Sequence, residues 1–274
     1  MTPRRDGPAL GRAPLALLVP AALAVLFLLL PLVALLARTP WGRLGDELTS
    51  RPVLDALRLT VETSLASTLV VLVVGIPLAW LLARVEFPGR SLARALVIVP
   101  LVLPPVVGGV ALLSAFGRVG LLGPALRSAG ITLPFTTAGV VVAHAFVSLP
   151  FFVLAVEGAL RASDEEYDVV AASLGASRLT VFLRVTLPLA WPGVLAGLVL
   201  AWARSLGEFG ATITFAGNYQ GTTRTMPSAI YTALQSDQDA AIVLAVILLL
   251  FCVAVLALLR ERWFDQAMAG TVRG

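Results

Sequence analysis

The chain has 274 residues, of which 58% are hydrophobic and 13% charged, and its apolar residues form long uninterrupted stretches. This composition is typical of a membrane protein and excludes an ordinary soluble domain, whose surface helices need a polar face. The net charge of +4 does not indicate nucleic-acid binding, because the basic residues are scattered between apolar runs without interleaved aromatic side chains.

Six stretches are long and apolar enough to cross a membrane as helices. An α-helix rises about 1.5 Å per residue, so about 20 apolar residues cover the roughly 30 Å of hydrocarbon in a bilayer. The stretches lie approximately at residues 14–37, 60–83, 95–116, 136–157, 188–210 and 240–260. The apolar part of the first is about twice as long as that of a secretory signal, so we expect it to be retained. The sequence therefore predicts an all-α, polytopic membrane bundle of about six transmembrane helices.

The distribution of arginine predicts the orientation of this bundle. All 20 basic residues are arginine, and an even number of spans places both termini on the same side. The N-terminus, the loops at 84–94 and 161–184 and the C-terminus together hold 12 arginines, against seven on the opposite side. Because cytoplasmic segments are enriched in basic residues, we expect both termini to face the cytoplasm.

Prolines interrupt the second and third predicted spans. They are Pro77, Pro100, Pro104 and Pro105, and Gly108 and Gly109 follow. A backbone group that a proline frees inside a membrane needs a partner from protein or from a water-lined cavity. We expect kinks or local unwinding in both spans, either for packing alone or as part of a pathway.

The loop after the fourth span carries signals for a helix, a turn and a second helix. Ser163 and Glu166 have the spacing of a capping box, which predicts a helix start there. Gly175 can adopt the left-handed conformation that closes a helix, and Ser177 can cap a second helix running toward Leu187. We expect Pro188 to open the next span.

The side chains of this loop suit the docking of another protein. Ala171, Ala172 and Gly175 are small enough to let a second backbone come close, and we expect anchors at Leu174, Phe182 and Val185. A surface loop without a partner is the alternative interpretation.

The loop resembles the cytoplasmic coupling loop of bacterial binding-protein-dependent ABC importer permeases. That family's pattern is an acidic residue, two alanines, a glycine and a later Leu-Pro. The matches here are Ala171, Ala172, Leu174, Gly175, Phe182 and Leu187–Pro188. The family's glutamate lies six or seven residues before the glycine, where this chain has Val169 and Asp168, so Asp168 is taken as the acidic member. The resemblance implies that the loop inserts into a groove of a cytoplasmic ATPase subunit.

The fifth predicted span is unusually polar. Arg204, Glu208 and Thr212 follow at intervals of four residues and would share one face of a continuous helix, where Arg204 and Glu208 can pair. A charge near the bilayer centre costs about 2.5–3.5 kcal/mol on insertion scales, so such residues face protein or water. Two interpretations remain: a wall of a transport path, or an ion pair that only fixes helix packing.

The segments 204–211, 215–218 and 225–231 resemble the molybdate permease subfamily, with sulfate permeases as the nearest relatives. The resemblance covers roughly residues 50–260 and implies the bundle of a type I ABC importer permease that carries an oxyanion, most naturally molybdate, with tungstate and sulfate as alternatives. Hydroxyl groups are suitably weak partners for a tetrahedral oxyanion that must be released. We therefore expect Ser205, Thr212 and Thr214, with Arg204 and Glu208, to line the translocation path.

The sequence lacks the motifs of an enzyme. It contains no lysine for a phosphate-binding loop, no His-Glu-x-x-His metal site and no Gly-x-Ser-x-Gly elbow. His144, the one histidine, is expected to be packed and hydrogen-bonded rather than a metal ligand. We expect no cofactor on this chain, since ATP and magnesium would belong to the partner ATPase.

The resemblance also implies the partners and the domain boundaries. We expect a second copy of the chain, two ATPase chains, a periplasmic or extracellular solute-binding protein and the lipid of the inner membrane. Residues 1–50 would form an N-terminal tail, the first helix and an outer loop, and residues 51–260 the permease domain with its coupling loop at about 161–188. Residues 261–274 would form a cytoplasmic tail.

Two other functions remain open from the sequence. An ion-coupled secondary transporter would usually show paired half-repeats and more intramembrane carboxylates than Glu62, Glu157 and Glu208. A membrane-embedded enzyme would need one of the catalytic motifs that the sequence lacks. Dependence of uptake on a separate ATPase distinguishes an ABC importer from both.

Overall fold

The computed structural model describes residues 15–271. The predicted N-terminal tail with Arg4, Arg5 and Arg12, the start of the first span at residue 14 and the last three residues of the predicted C-terminal tail lie outside the described residues. The helices are α1 Leu15–Ala37, α2 Leu44–Thr49, α3 Arg51–Arg84, α4 Arg90–Val102, α5 Pro105–Phe116, α6 Gly123–Ser128, α7 Thr137–Ala162, α8 Glu166–Ser173, α9 Arg178–Val181, α10 Leu187–Leu206, α11 Gly210–Phe215, α12 Met226–Leu234 and α13 Gln238–Thr271. The described part of the chain is all-α, as predicted.

Five helical segments of the described chain are long and apolar enough to cross a membrane, and α4 with α5 makes a sixth if this bent pair counts as one span. Three helices extend beyond their predicted spans, and α7 does so by five residues, to Ala162. Helix α3 begins at Arg51, and α13 continues beyond residue 260 to Thr271, so the predicted tail starts within a helix.

The third span is broken at two consecutive prolines. Helices α4 and α5 differ in direction by 119°, and Leu103 and Pro104 between them have extended backbone conformations. A residue that precedes proline is driven out of the helical region, and proline itself donates no hydrogen bond, so Pro104 and Pro105 together end the helix. Pro77 and Pro100 lie inside α3 and α4 without such a break, so only part of the predicted unwinding occurs.

The bent pair follows α7 over much of its length. Arg94 of α4 bonds to Glu157, whereas Gly108 of α5 lies against the ring of Phe146. These two positions on α7 are 11 residues apart, which corresponds to about 16 Å along the helix axis. The pair therefore contacts α7 at two depths.

Helices α3, α7 and α10 form the main core of the bundle. Phe152 of α7 is fully buried and belongs to one apolar cluster with Val71 of α3 and Val194 of α10. A Cβ atom added at Gly193 would lie 2.1 Å from Cβ of Ala159, so α7 and α10 approach too closely there for any larger residue. Small residues at helix contacts of this kind are common in membrane bundles.

The fifth span differs from the prediction at both ends. At its start, α9, a π-helical turn at Phe182–Thr186 and α10 form one continuous stretch from Arg178 to Leu206, so Pro188 does not separate a loop helix from the span. The π turn lies directly before Pro188, where a regular helix would miss the proline N–H.

At its end, α10 stops at Leu206, and α11 begins only at Gly210. The prediction of one continuous helical face through Arg204, Glu208 and Thr212 is therefore wrong. Glycines at 207 and 210 lower the helix propensity of this segment. The Glu208 carboxylate accepts a hydrogen bond from the Ala211 backbone N–H at 2.8 Å and so starts a new helix.

Candidate functional site

The predicted loop at 161–188 forms a short helix, a tight turn and the start of a long helix. Gly175 has φ of +87° directly after α8, the left-handed conformation that the sequence predicted. Its N–H donates to the Ala172 carbonyl, and the Ala176 N–H donates to the Ala171 carbonyl. The Ser177 hydroxyl accepts from the Thr180 N–H and caps α9, as predicted.

The start of α8 differs from the predicted capping box. The Ser163 hydroxyl donates to the Leu160 carbonyl of the preceding helix, so it does not cap α8. The Asp164 carboxylate accepts from the Glu166 N–H at 2.9 Å and serves as the cap instead. Both residues lie in the short segment between two helices, where an aspartate beside the serine competes for the same backbone donor.

Helix α8 and its turn present apolar side chains to the surroundings. None of the residues within α8 is buried, and Leu174 has 84% of its surface exposed. Tyr167, Val169, Val170 and Leu179 are exposed as well. An apolar surface of this kind on a short helix is suited to insertion into a groove of another protein.

The inward side of the loop is tied to α3. Asp168 accepts a hydrogen bond from the Thr186 hydroxyl at 2.8 Å and lies 3.8 Å from the Arg84 guanidinium. Arg84 also pairs with Glu165 and donates to the hydroxyl and carbonyl of Ser163. Its side chain is only 8% exposed. Asp168 thus holds the loop against Arg84 of α3 and Thr186 of the same chain.

Phe182 also faces inward. Its ring stacks edge-on against Trp80 of α3, with ring centroids 5.7 Å apart. This contact is internal to the chain and leaves Phe182 half-buried, so its role as an anchor for a partner stays a prediction, while Leu174 is the more exposed apolar residue of the turn. The space between α3, α8 and α9 is a cavity of about 560 Å³, open to the surroundings and lined by Trp80, Arg84 and Asp168 among others.

Beside this loop lies a cluster of charged residues that was not predicted from the sequence. Glu157 of α7 accepts from Arg94 at 2.6 Å and from Arg161 at 3.0 Å, and its side chain is 6% exposed. The Leu82 carbonyl accepts from Arg90, Arg94 and Arg161. The last carbonyls of a helix lack partners within the helix, so these arginines complete the end of α3. We call Leu82, Arg90, Arg94, Glu157 and Arg161 the arginine junction.

One sequence signal could have identified the arginine junction. Glu157 and Arg161 are four residues apart at the end of a predicted span, the spacing of a helical ion pair. The contribution of Arg94 depends on how α4 packs against α7, which has no local signature.

The second candidate site is the break between α10 and α11. Arg204 and Glu208 form the predicted ion pair at 2.8 Å, although Glu208 now lies outside the helix. Glu208 is 1% exposed, and its second oxygen caps α11 through the Ala211 N–H. One carboxylate therefore joins the last turn of α10 to the first turn of α11.

The predicted hydroxyl groups of the path are in different environments. Ser205 and Thr214 donate to carbonyls of their own helices, those of Trp202 and Gly210. Thr212 is fully buried, and its hydroxyl has no hydrogen-bond partner among the described residues. Arg204, Glu208 and the three hydroxyl residues therefore all lie at the break between α10 and α11. Of the three hydroxyl groups, that of Thr212 is the one without a hydrogen-bond partner among the described residues.

His144 is packed in α7, as predicted, but is not hydrogen-bonded through its ring. Its side chain is fully buried, and neither ring nitrogen has a partner within the described chain. The described residues contain no group of three His, Cys or acidic side chains placed to hold a metal ion.

Comparison with known proteins gives strong matches over most of the chain. Residues 75–270 match the family model described as binding-protein-dependent transport system inner membrane component. The molybdenum transport system permease protein ModB of Mycobacterium tuberculosis is 52% identical over 241 residues, covering 88% of this chain and 90% of that protein. The sulfate transport system permease protein CysT of Salmonella typhimurium is 39% identical and covers 82% of both chains.

The fold has close neighbours among solved structures. A bacterial ABC transporter involved in the import of the acidic polysaccharide alginate superimposes with a TM-score of 0.73 at 20% identity, covering 90% of this chain and 93% of that chain. At this identity the likeness concerns the fold of the bundle. Together with the family match and the relatives, it identifies a type I ABC importer bundle. The chain belongs to the family of inner-membrane components of binding-protein-dependent transport systems, as a membrane permease subunit and not as the ATPase.

Proposed function

We propose that this chain is the permease subunit of an ATP-driven importer that carries molybdate across the inner membrane. The observation that carries the proposal is the 52% identity to a molybdenum transport permease over nearly nine tenths of both chains. The matched region covers 88% of this chain and includes the loop around α8 and the break between α10 and α11.

In this proposal, the segment 163–177, which comprises α8 and the turn that follows it, docks on the ATPase. We call this segment the docking turn. Leu174 and Gly175 form its tip, and Ala171 and Ala172 let the partner's backbone approach. The ties from Asp168 and Arg84 hold the turn to α3, so a displacement of the turn reaches the membrane helices. ATP and magnesium bind to the partner ATPase.

The translocation path runs along the break between α10 and α11 in this proposal. Arg204, Ser205, Glu208, Thr212 and Thr214 lie there, and the free hydroxyl of Thr212 supports the assignment because a buried donor without a partner gains from a passing anion. Alternating access opens the path first to the solute-binding protein and then to the cytoplasm.

Two identical chains form the membrane part of this importer, with both termini in the cytoplasm. The arginine distribution supports this orientation, and so does the position of the arginine junction at the same end of the bundle as the docking turn. The support for a pair of identical chains is the resemblance to permeases that assemble in this way.

Affinity capture from membranes in mild detergent tests the proposal. We expect an ATPase chain to co-purify in equal amount, and the solute-binding protein with molybdate to stimulate ATP hydrolysis. Stimulation by sulfate alone would favour the alternative substrate that the 39% identity to a sulfate permease suggests. Equal stimulation by tungstate would widen the substrate to both tetrahedral oxyanions. Uptake by a chain with no ATPase partner would instead indicate an ion-coupled transporter.

A further inference from the structure

The arginine junction lies between the docking turn and the broken span and contacts both. We infer that Arg94 is a positioning residue that transmits displacement of the docking turn to α4 and α5, through its ion pair with Glu157. The inference rests on the proposed function, since it concerns how this importer couples ATP hydrolysis to movement of its helices.

The docking turn is connected to the arginine junction through the end of α3. Arg84 holds Ser163, Glu165 and Asp168 at the start of α8, and it is the last residue of α3. The carbonyl of Leu82, two residues earlier, accepts hydrogen bonds from Arg90 and Arg94 of α4. The end of α3 is therefore bonded to the docking turn on one side and to the junction on the other.

An ion pair links α4 to α7 at the arginine junction. Among the described ion pairs, Arg94–Glu157 is the one that joins α4 to α7, at 2.6 Å. Arg161 bonds to the same carboxylate oxygen but belongs to α7 itself, so its pair with Glu157 joins no two helices. The carboxylate is 6% exposed, and a nearly buried charge strongly resists losing its partner.

Helix α4 is connected to the candidate path through α5. Helix α5 follows α4 after the break at Leu103, and it packs directly on α11. A Cβ atom at Gly109 would lie 2.6 Å from Cβ of Thr214, and one at Gly210 would lie 2.7 Å from Cβ of Pro105. Such close packing leaves no room for α5 to move without displacing α11. The break at Leu103 thus joins a helix held by the junction to a helix that positions the predicted path.

The test compares two arginines that share one acceptor. Arg94→Gln removes the link between α4 and α7. Arg161→Gln removes the same charge next to the same carboxylate, together with one bond from α7 to the Leu82 carbonyl, but leaves the link between α4 and α7 intact. Each variant is purified with its ATPase and solute-binding protein in vesicles, and molybdate uptake per ATP hydrolysed is measured. We expect Arg94→Gln to lower this ratio at least about fivefold, the lower end of typical coupling effects, while Arg161→Gln changes it less than about twofold. Arg94→Lys, which retains a charge, is expected to restore most of the ratio.

A distance measurement separates positioning from a merely structural role. Spin labels are placed at Leu96 of α4 and Leu65 of α3, both exposed, in a Cys252→Ser background. The distance between the labels is compared without nucleotide and with ATP trapped by vanadate. We expect a nucleotide-dependent change in the otherwise native complex and in Arg161→Gln, and its loss in Arg94→Gln.

Several results would overturn the inference. It is wrong if Arg94→Gln keeps both the uptake ratio and the change in distance, or if the two glutamine variants lose them equally. If Arg94→Gln fails to assemble, Glu157→Gln is measured in the same way, and full coupling in that variant overturns the inference. Failure of the proposed function has a different signature, because the unaltered chain would then capture no ATPase or show no molybdate-stimulated hydrolysis.

Discussion

The arginine junction and the break between α10 and α11 both contain charged residues, but they differ in how completely those residues are bonded. At the arginine junction, one carboxylate and one carbonyl accept five hydrogen-bond pairings from three arginines on two helices. At the break between α10 and α11, Glu208 has one arginine and one backbone donor, while the Thr212 hydroxyl has no partner among the described residues.

This difference indicates which parts of the bundle move as units. A group with several charge-assisted partners loses all of them if its helices separate, so the junction end is expected to move as one body. A buried hydroxyl without a partner loses nothing when its surroundings rearrange and can gain a hydrogen bond. The break is therefore the place where two arrangements can have similar free energies, as alternating access requires.

The largest expected effect is on folding and comes from removing the carboxylate at the break. Glu208→Ala leaves Arg204 without its ion-pair partner and the Ala211 N–H without an acceptor, in a place where Glu208 is 1% exposed. Breaking such a pair costs about 3 kcal/mol of the free energy of unfolding. For a chain of this size, we expect the apparent Tm in detergent to fall by roughly 6–10 °C.

The matched control for this prediction is an exposed pair with the same spacing. Arg58 and Glu62 bond at 2.6 Å, with 78% and 53% of their side chains exposed. Because solvent screens an exposed pair, Glu62→Ala is expected to leave the Tm almost unchanged. Equal losses of Tm in the two variants would show that burial at the break contributes nothing, and the contrast between the two sites would fail.

The second effect is on coupling and comes from the docking turn. Gly175→Asp adds a side chain into open space, because no atom lies within 4 Å of a Cβ there, so the bundle should still fold. The added carboxylate falls beside Leu174, on the surface that we propose meets the ATPase. We expect molybdate uptake to fall about tenfold or more, equivalent to about 1.4 kcal/mol, with normal amounts of the chain in the membrane.

Gly175→Asn is the control for backbone strain at this position. Its side chain has nearly the same shape as aspartate, and asparagine tolerates the left-handed conformation found at Gly175. We expect it to keep most of the uptake. Full uptake and normal ATPase association in Gly175→Asp would contradict the assignment of this turn as the docking element.

Local signals in the sequence predicted much of the fold. The apolar lengths identified the spans, and Gly175 and Ser177 identified the turn after α8, because a left-handed glycine and a serine cap depend only on neighbouring residues. The break at Pro104 was predicted in general terms for the same reason.

The errors concern interactions that compete or that join distant segments. Ser163 had the spacing of a cap, but Asp164 beside it takes the backbone donor. Phe182 was predicted only as an anchor for a partner, and its contact with Trp80 of another helix was missed. The arginine junction joins residues 63 positions apart in Arg94 and Glu157, so the packing of α4 on α7 had to be known first.

A smaller effect is expected from the free hydroxyl at the break. Thr212→Val keeps the shape of the side chain and removes a buried polar group without a partner, so the free energy of unfolding should stay within about 1 kcal/mol or rise. Uptake should fall if the hydroxyl contacts the anion. Ser205→Ala is the comparison, because that hydroxyl already bonds within its own helix. Unchanged uptake in Thr212→Val would remove Thr212 from the proposed path and weaken the assignment of the break.

The smallest expected effect concerns an exposed pair in the segment before α13. The Arg43 guanidinium donates to Asp237 at 2.7 Å and, with the Ala240 backbone N–H, lowers the pKa of this carboxyl from 3.8 to about 2. Because the pKa is lower in the folded chain, the stabilisation is fully present above about pH 4 and is lost as the pH falls toward 2. The Tm difference between the unaltered chain and Asp237→Asn should therefore shrink between these pH values and remain constant from pH 5 to 7. A Tm difference that persists at pH 2 would show that Asp237 stabilises the fold through packing and not through its charge.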